Sequence, residues 1–100
     1  MSEQLEEALN RIKKAKETKA KNLSLFNLAL NEIPKEVFEL SNLTKLDLRN
    51  NQLSDLPESL KKISNLTRLD LRNNQLSDLP ESLTKLSFLT QIDLLSLIHI

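Results

Sequence analysis

Residues 43–65 read LTKLDLRNNQLSDLPESLKKISN, and residues 66–88 read LTRLDLRNNQLSDLPESLTKLSF. The two 23-residue blocks differ at four positions, Lys45/Arg68, Lys61/Thr84, Ile63/Leu86 and Asn65/Phe88. A tandem copy at fixed period marks a unit that cannot bury its apolar face alone and buries it against its neighbours. Within the block, Leu46 and Leu48 alternate with Lys45, Asp47 and Arg49, the period-2 pattern of a half-buried strand. A strand this short has no stability of its own. Stacked on the next copy, it becomes one rung of a parallel sheet. Asn50 and Asn51 turn the chain out of the rung, a place Asn tolerates well. Pro57 and Pro80 open a short helical turn, where a missing N–H matters little. Leu60 with Ile63, and Leu83 with Leu86, then point inward from the convex side.

A shift back by one period gives residues 20–42, AKNLSLFNLALNEIPKEVFELSN, a degenerate copy. A shift forward gives residues 89–100, LTQIDLLSLIHI, which starts in register and loses the pattern from Leu95. Leu43, Leu46, Leu48, Asn51 and Leu53 fit L-x-x-L-x-L-x-x-N-x-L, and Leu66, Leu69, Leu71, Asn74 and Leu76 fit it again. On these residues the chain resembles the leucine-rich repeat family over residues 20–94. Ile33-Pro34, Leu56-Pro57 and Leu79-Pro80 resemble the subclass common in bacteria and in intracellular signalling proteins. The resemblance implies an α/β solenoid with a parallel concave sheet. It also implies that an inward Asn side chain bonds the backbone of adjacent coils, a structural ladder for which Asn51 and Asn74 are the matching positions. Leu28 fills that position in the first coil, so the ladder is expected to break there. The expected organisation is repeats at 20–42, 43–65 and 66–88, a partial repeat at 89–94, and an atypical, truncated tail at 95–100. That tail resembles the translated adapter ends of some gene fragments, and with no polar cap after it the chain reads as a piece of a longer protein.

Residues 1–21 form a different segment. Leu5, Ala8, Leu9, Ile12 and Ala15 follow helical spacing, Ser2 can cap the start, and Leu5, Leu9 and Ile12 form the main apolar stripe. Glu3, Glu6 and Glu7 crowd the first turns and Lys13, Lys14, Lys16, Lys19 and Lys21 the last, which complements the helix dipole. The expected role is an N-terminal amphipathic capping helix over the open end of the first coil.

The strand alternation places three lanes of side chains on the concave face: Asn22, Lys45, Arg68 and Gln91; Ser24, Asp47, Asp70 and Asp93; and Phe26, Arg49, Arg72 and Leu95. Neighbouring rungs lie about 4.8 Å apart, so stacked carboxylates would repel unless the basic lanes beside them offset the charge. The candidate partner-binding residues are Lys45, Asp47, Arg49, Arg68, Asp70 and Arg72. All six are expected to project into solvent, and reversing Arg49 and Arg72 to Glu is expected to leave the fold intact.

Composition narrows the chemistry further. Leucine supplies 24 of the 39 hydrophobic residues, whereas Phe occurs three times and Trp and Tyr not at all, a narrow set of shapes suited to a stacked unit. No cysteine means no disulfide framework, thiolate metal site or cysteine nucleophile. No glycine means no phosphate-cradling loop. Basic and acidic residues balance at 14 each, which gives no global pull toward nucleic acid. The basic stretch from Arg11 to Lys21 holds no aromatic residue for stacking on bases or inserting into lipid. The Asp lane is flanked by Arg and Lys that compete with a cation, and His99 has no histidine beside it. No apolar leader and no membrane-length apolar run is present. The expectation is therefore a cytoplasmic, non-enzymatic protein–protein interaction module, with no catalytic residues, no cofactor, no metal, no nucleic acid and no membrane contact, binding a protein on its concave face. The helix followed by Leu-Pro repeats also resembles the front of bacterial Roco-type GTPases, which implies as an alternative a sensor or scaffold region whose catalytic part lies elsewhere. The uncovered C-terminal sheet edge and apolar end-face are expected to promote self-association.

Overall fold

A computed structural model of the chain describes residues 3–76 and the backbone of residues 91–93. It begins with helix α1, Glu3–Thr18, followed by strand β1, Asn22–Ser24. Strands β2, Lys45–Asp47, β3, Arg68–Asp70, and β4, Gln91–Asp93, come at intervals of one repeat. All are parallel neighbours in the order β1-β2-β3-β4. The register advances by 23 residues at each step: Leu23 faces Leu46, Leu46 faces Leu69, and Leu69 faces Ile92. On the convex side two 3-10 helices, η1, Lys35–Glu39, and η2, Glu58–Lys62, follow Pro34 and Pro57. Each proline sits just before the first helical residue, where its carbonyl accepts from Val37 or Leu60 and its absent N–H removes nothing.

The core is a stack of leucines. Leu43, Leu46, Leu48, Leu53, Leu56, Leu60 and Ile63 of the second coil are all buried, so every apolar position of the repeat is used, from the sheet and the convex side alike. Asn27, Asn50 and Asn73 occupy the left-handed region at φ 58, 58 and 60°, and there they turn the chain out of successive rungs. Further bonds tie one coil to the next beyond the strands. The Gln52 N–H donates to the Leu30 carbonyl at 2.8 Å, and the Gln75 N–H to the Leu53 carbonyl at 2.9 Å. The Thr44 hydroxyl donates to the Lys21 carbonyl, and the Thr67 hydroxyl to the Thr44 carbonyl, again one period apart.

Helix α1 ends in a Schellman turn: Ala20 N–H donates to Ala15 O at 2.9 Å and Lys19 N–H to Lys16 O at 3.3 Å, with Lys19 at φ 55° where glycine is the usual residue. The turn delivers the chain straight into β1. The helix faces the first coil with Ala8, Ile12 and Ala15, all buried, while Leu5 and Leu9 are half-buried at its flank. The expected stripe of Leu5, Leu9 and Ile12 is therefore rotated toward the alanines. A helix comes closest where its side chains are smallest, and the two leucines then close the sides of the contact.

Several expectations lie outside the described residues: the Ser2 cap, the convex turn at Pro80 with Leu83 and Leu86, Leu89 and Leu94 of the partial repeat, the 95–100 tail, and self-association through it.

Candidate functional site

The concave sheet brings the first two expected lanes into register and, in the third, Phe26 against Arg49, whereas Leu95 lies outside the described residues. Asn22, Lys45, Arg68 and Gln91 are in register across the four strands, as are Ser24, Asp47, Asp70 and Asp93. Lys45, Asp47, Arg49, Arg68, Asp70 and Arg72 line one depression of about 460 Å³, with Asn22, Leu23, Ser24 and Leu46 completing its wall.

Within it the charges are organised by one repeated local device. Asp47 and Arg49 lie two apart, on the same face, as the strand ends. The Arg49 guanidinium forks onto its own repeat's carboxylate, Nε to Oδ1 at 2.9 Å and Nη2 to Oδ2 at 2.9 Å. Arg72 does the same to Asp70, at 2.9 and 2.7 Å. The backbone N–H of each arginine also donates to that carboxylate, which fixes the Asp from a second direction. Arg49 reaches across to the next rung as well, its Nε 3.6 Å from Asp70 Oδ2. The repulsion between the stacked carboxylates is thus offset by guanidinium groups paired with them. Burial pushes the Asp47 and Asp70 carboxyls up, but the hydrogen bonds and charge of Arg49 and Arg72 outweigh it, and both sit below the ordinary carboxylate range. Hydrogen bonding to Asp47, followed by its charge, raises Arg49 above its ordinary value. A carboxylate held ionised in this way has no proton to donate at neutral pH and is a weak base.

One expectation needs correction. Asp70 does not project into solvent: it is 6% exposed, covered by Arg72 and Arg49. Of the other five, Lys45 is exposed and Asp47, Arg49, Arg68 and Arg72 are half-buried. Reversal of Arg49 and Arg72 would place two carboxylates against this buried one, so a loss of stability is the expected outcome.

The asparagine positions have their own geometry. Asn51 is buried. Its Oδ1 accepts from Leu28 N and Leu30 N at 3.0 Å, and its Nδ2 donates to the carbonyls of Leu25, Leu48 and Arg49 at 2.9 to 3.2 Å. Asn74 is half-buried. It accepts from Leu53 N at 3.0 Å and donates to the Leu48 carbonyl at 2.8 Å and the Leu71 carbonyl at 3.0 Å. In the first coil Leu28 is buried at this position, and its backbone N–H donates to Asn51 Oδ1.

Other contacts were not anticipated from the sequence. The Phe26 ring lies 4.9 Å from the Arg49 guanidinium carbon. Arg11 of α1 donates through Nη1 to the Ser24 carbonyl at 3.1 Å, covering part of the outer edge of β1. Lys16 Nζ meets Glu39 Oε1 at 2.9 Å. The lane assignment carried a signal for the first, since Phe26 and Arg49 are in one lane on adjacent rungs. No spacing rule links α1 to β1 or η1. Among the described residues no group of three His, Cys, Asp or Glu side chains is placed to hold a metal ion, and no helix is long and apolar enough to cross a membrane.

A coil of short parallel rungs, proline-led convex turns and inward asparagines is the architecture of a repeat solenoid with a capping helix. A family model described as Leucine rich repeat matches residues 18–76 and 41–96, and the chain belongs to the leucine-rich repeat family. The match starts where α1 ends, as fits a cap distinct from the repeats. The chain is similar to the solved leucine-rich repeat domain of the type III effector XCV3220 (XopL), 26% identical with a TM-score of 0.78, over 90% of this chain and 30% of that one. It also aligns with a leucine-rich repeat protein of Leptospira interrogans, LIC12759, 24% identical with a TM-score of 0.38, over 79% of this chain and 32% of that one. The chain therefore spans under a third of the length of either solved chain. No curated protein matches it. Leucine-rich repeat domains are in general protein–protein interaction modules and are typically non-catalytic.

Proposed function

We propose that the chain is a non-enzymatic module that binds a protein partner on the concave face of its sheet, with Lys45, Asp47, Arg49, Arg68, Asp70 and Arg72 forming the recognition strip. The observation that carries this reading is the pair of Asp–Arg forks. They hold long side chains in fixed positions on an accessible sheet, so a partner meets them with little rotamer freedom left to lose. Asp47, Arg49 and Arg72 supply the polar groups at the surface, Asp70 fixes the two arginines from beneath, and Lys45 and Arg68 form the outer lane.

The test is paired capture and mass spectrometry with the full chain and two charge-reversed forms. Lys45→Glu acts on the strip at an exposed position that the forks do not use. Lys61→Glu with Lys62→Glu acts on the convex η2. The expected result is a protein captured by the original chain, lost with Lys45→Glu and retained with the η2 form. Loss with the η2 form alone moves the site to the convex side. Salt sensitivity should be modest, because the strip holds both signs.

A further inference from the structure

The first rung of the concave face differs from the rungs beside it. Where β2 and β3 carry Lys45, Asp47 and Arg49, and Arg68, Asp70 and Arg72, the first coil carries Asn22, Ser24 and Phe26. Rung one is uncharged and ends in an aromatic ring, whereas each of the next two has two cations and one carboxylate. Phe26 is the large hydrophobic residue left exposed among the described residues, at 39%.

A lone exposed phenylalanine is unremarkable in itself. What distinguishes this one is the group held against it. The Arg49 guanidinium is fixed by its fork to Asp47, by Asp70 on the next rung at 3.6 Å, and by the Phe26 ring at 4.9 Å. The fork uses Nε and Nη2. Nη1 has no hydrogen-bond partner among the described residues, and the side chain is 39% exposed. A charged donor held by two carboxylates thus sits beside an exposed apolar ring. Aromatic residues and arginines with their freedom already spent are the side chains that dominate binding energy at interfaces.

Resting on the concave-face reading above, we propose that Phe26 and Arg49 form the anchor of the site, and that the partner is an acidic polypeptide segment presenting an apolar side chain to the Phe26 ring and a neighbouring Asp or Glu carboxylate to Arg49 Nη1. The charge of the strip sets the sign. Lys45, Arg49, Arg68 and Arg72 outnumber Asp47, Asp70 and Asp93, the acidic residues of the same lanes, so a carboxylate meets net positive charge and a basic segment is repelled. Geometry sets the spacing. Adjacent rungs are about 4.8 Å apart and an extended chain rises about 3.3 Å per residue, so the apolar and acidic residues are one or two positions apart in the ligand.

The probe is a random dodecapeptide library displayed on phage and selected at low salt on the full 100-residue chain, with enriched peptides synthesised for affinity measurement. The expected result is enrichment of an apolar residue one or two positions from Asp or Glu. Affinity should fall at least tenfold with Phe26→Ala. Selection on Phe26→Arg, which gives rung one the arginine of the other rungs, should keep the acidic preference and lose the apolar one. Circular dichroism confirms that both forms are folded. Peptides that are basic, or that lack the apolar–acidic pair, overturn the proposal, as does an enrichment no greater than on chain-free beads. Enriched peptides weakened by Lys45→Glu and unaffected by Phe26→Ala overturn the anchor while the concave-face reading stands. Peptides insensitive to both substitutions overturn the two together.

Discussion

Asn51 shows how one side chain can replace a length of secondary structure. The turn out of a rung leaves backbone groups of two coils facing inward, and the single amide serves five of them: two N–H groups of the first coil, one carbonyl of that coil and two of its own. Leucine at 51 would fill the space and satisfy none of them. Each stranded buried group costs about 1–3 kcal/mol, so Asn51→Leu should destabilise by at least about 3 kcal/mol, read as a lowered urea midpoint. Asn74→Leu, half-buried, should lose less; equal losses would mean that burial is not the controlling variable. The Asp–Arg forks make a prediction in pH. Asp70 has a carboxyl lower in the folded chain than in the unfolded one, so its stabilisation is fully present above the unfolded value of about 4 and disappears as pH falls through the folded value. Urea midpoints measured from about pH 5 downward should therefore drop more steeply in the original chain than in Asp70→Asn. At pH 7 the variant should be less stable by roughly 1.5–3 kcal/mol, the scale of one charge-assisted bond. Parallel curves would show that Asp70 is not the titrating group. Lys19 and Ala29 hold left-handed backbone at φ 55 and 52° without the side-chain chemistry that lets Asn do so. Lys19→Gly should raise the urea midpoint by the equivalent of about 0.5–1 kcal/mol, because relief of the turn exceeds the added freedom of the unfolded chain. A fall would place the lysine stem's own packing above the strain.

At the scale of elements, the strands and their register were legible in full and the helix only in part, for a physical reason that separates them. A rung is fixed by two periodicities acting together, the two-residue alternation of Leu46 and Leu48 and the 23-residue recurrence, and a slip in either would turn leucines outward. Residue 45 had to face residue 68, and it does. No recurrence constrains α1. Its periodicity gave the apolar side, but the orientation within that side was decided by the first coil, which admits Ala8 and Ala15 more closely than Leu5 and Leu9. Side-chain partners were legible where chain neighbours share a face, as in Asp47 and Arg49, and illegible where partners come from different elements, as in Arg11 with the Ser24 carbonyl. The burial of Asp70 falls between: its lane was evident, but its cover depends on which way two arginines fold. The helix carries a direct test. Ile12 is the largest side chain that α1 buries, and Ile12→Ala should lower stability by about 2–5 kcal/mol, the range for emptying a packed site. A melt unchanged by the substitution would make α1 a tether rather than a cover.

For the molecule as a whole, the 23-residue period is also the interval at which inter-coil bonds recur. The carbonyl of Lys21 serves Thr44 and that of Thr44 serves Thr67, Asn51 reaches back to Leu25, and Asn74 reaches back to Leu48. Each coil presents to the next the same face that it received from the one before, and α1 covers only the first. Stability in such a stack is close to a sum of coil and interface contributions, so it should grow when a coil is added between existing ones. Insertion of a second copy of residues 43–65 directly after Asn65 restores every upstream and downstream partner. Leu66 then follows a coil identical to the one it follows now. The lengthened chain should unfold at higher urea, with a denaturant slope larger by about a fifth, in proportion to the added chain buried. The control is the same insertion with one extra alanine after its copy of Leu46. That residue shifts the inserted rung by one, turns its second leucine outward and carries the asparagine away from its partners. Its urea midpoint should fall below that of the original chain. A 24-residue insertion that stabilises as well as the 23-residue one would show that the coils stack without regard to register, and the ladder of threonines and asparagines would then be a consequence of the stacking rather than a part of what sets it.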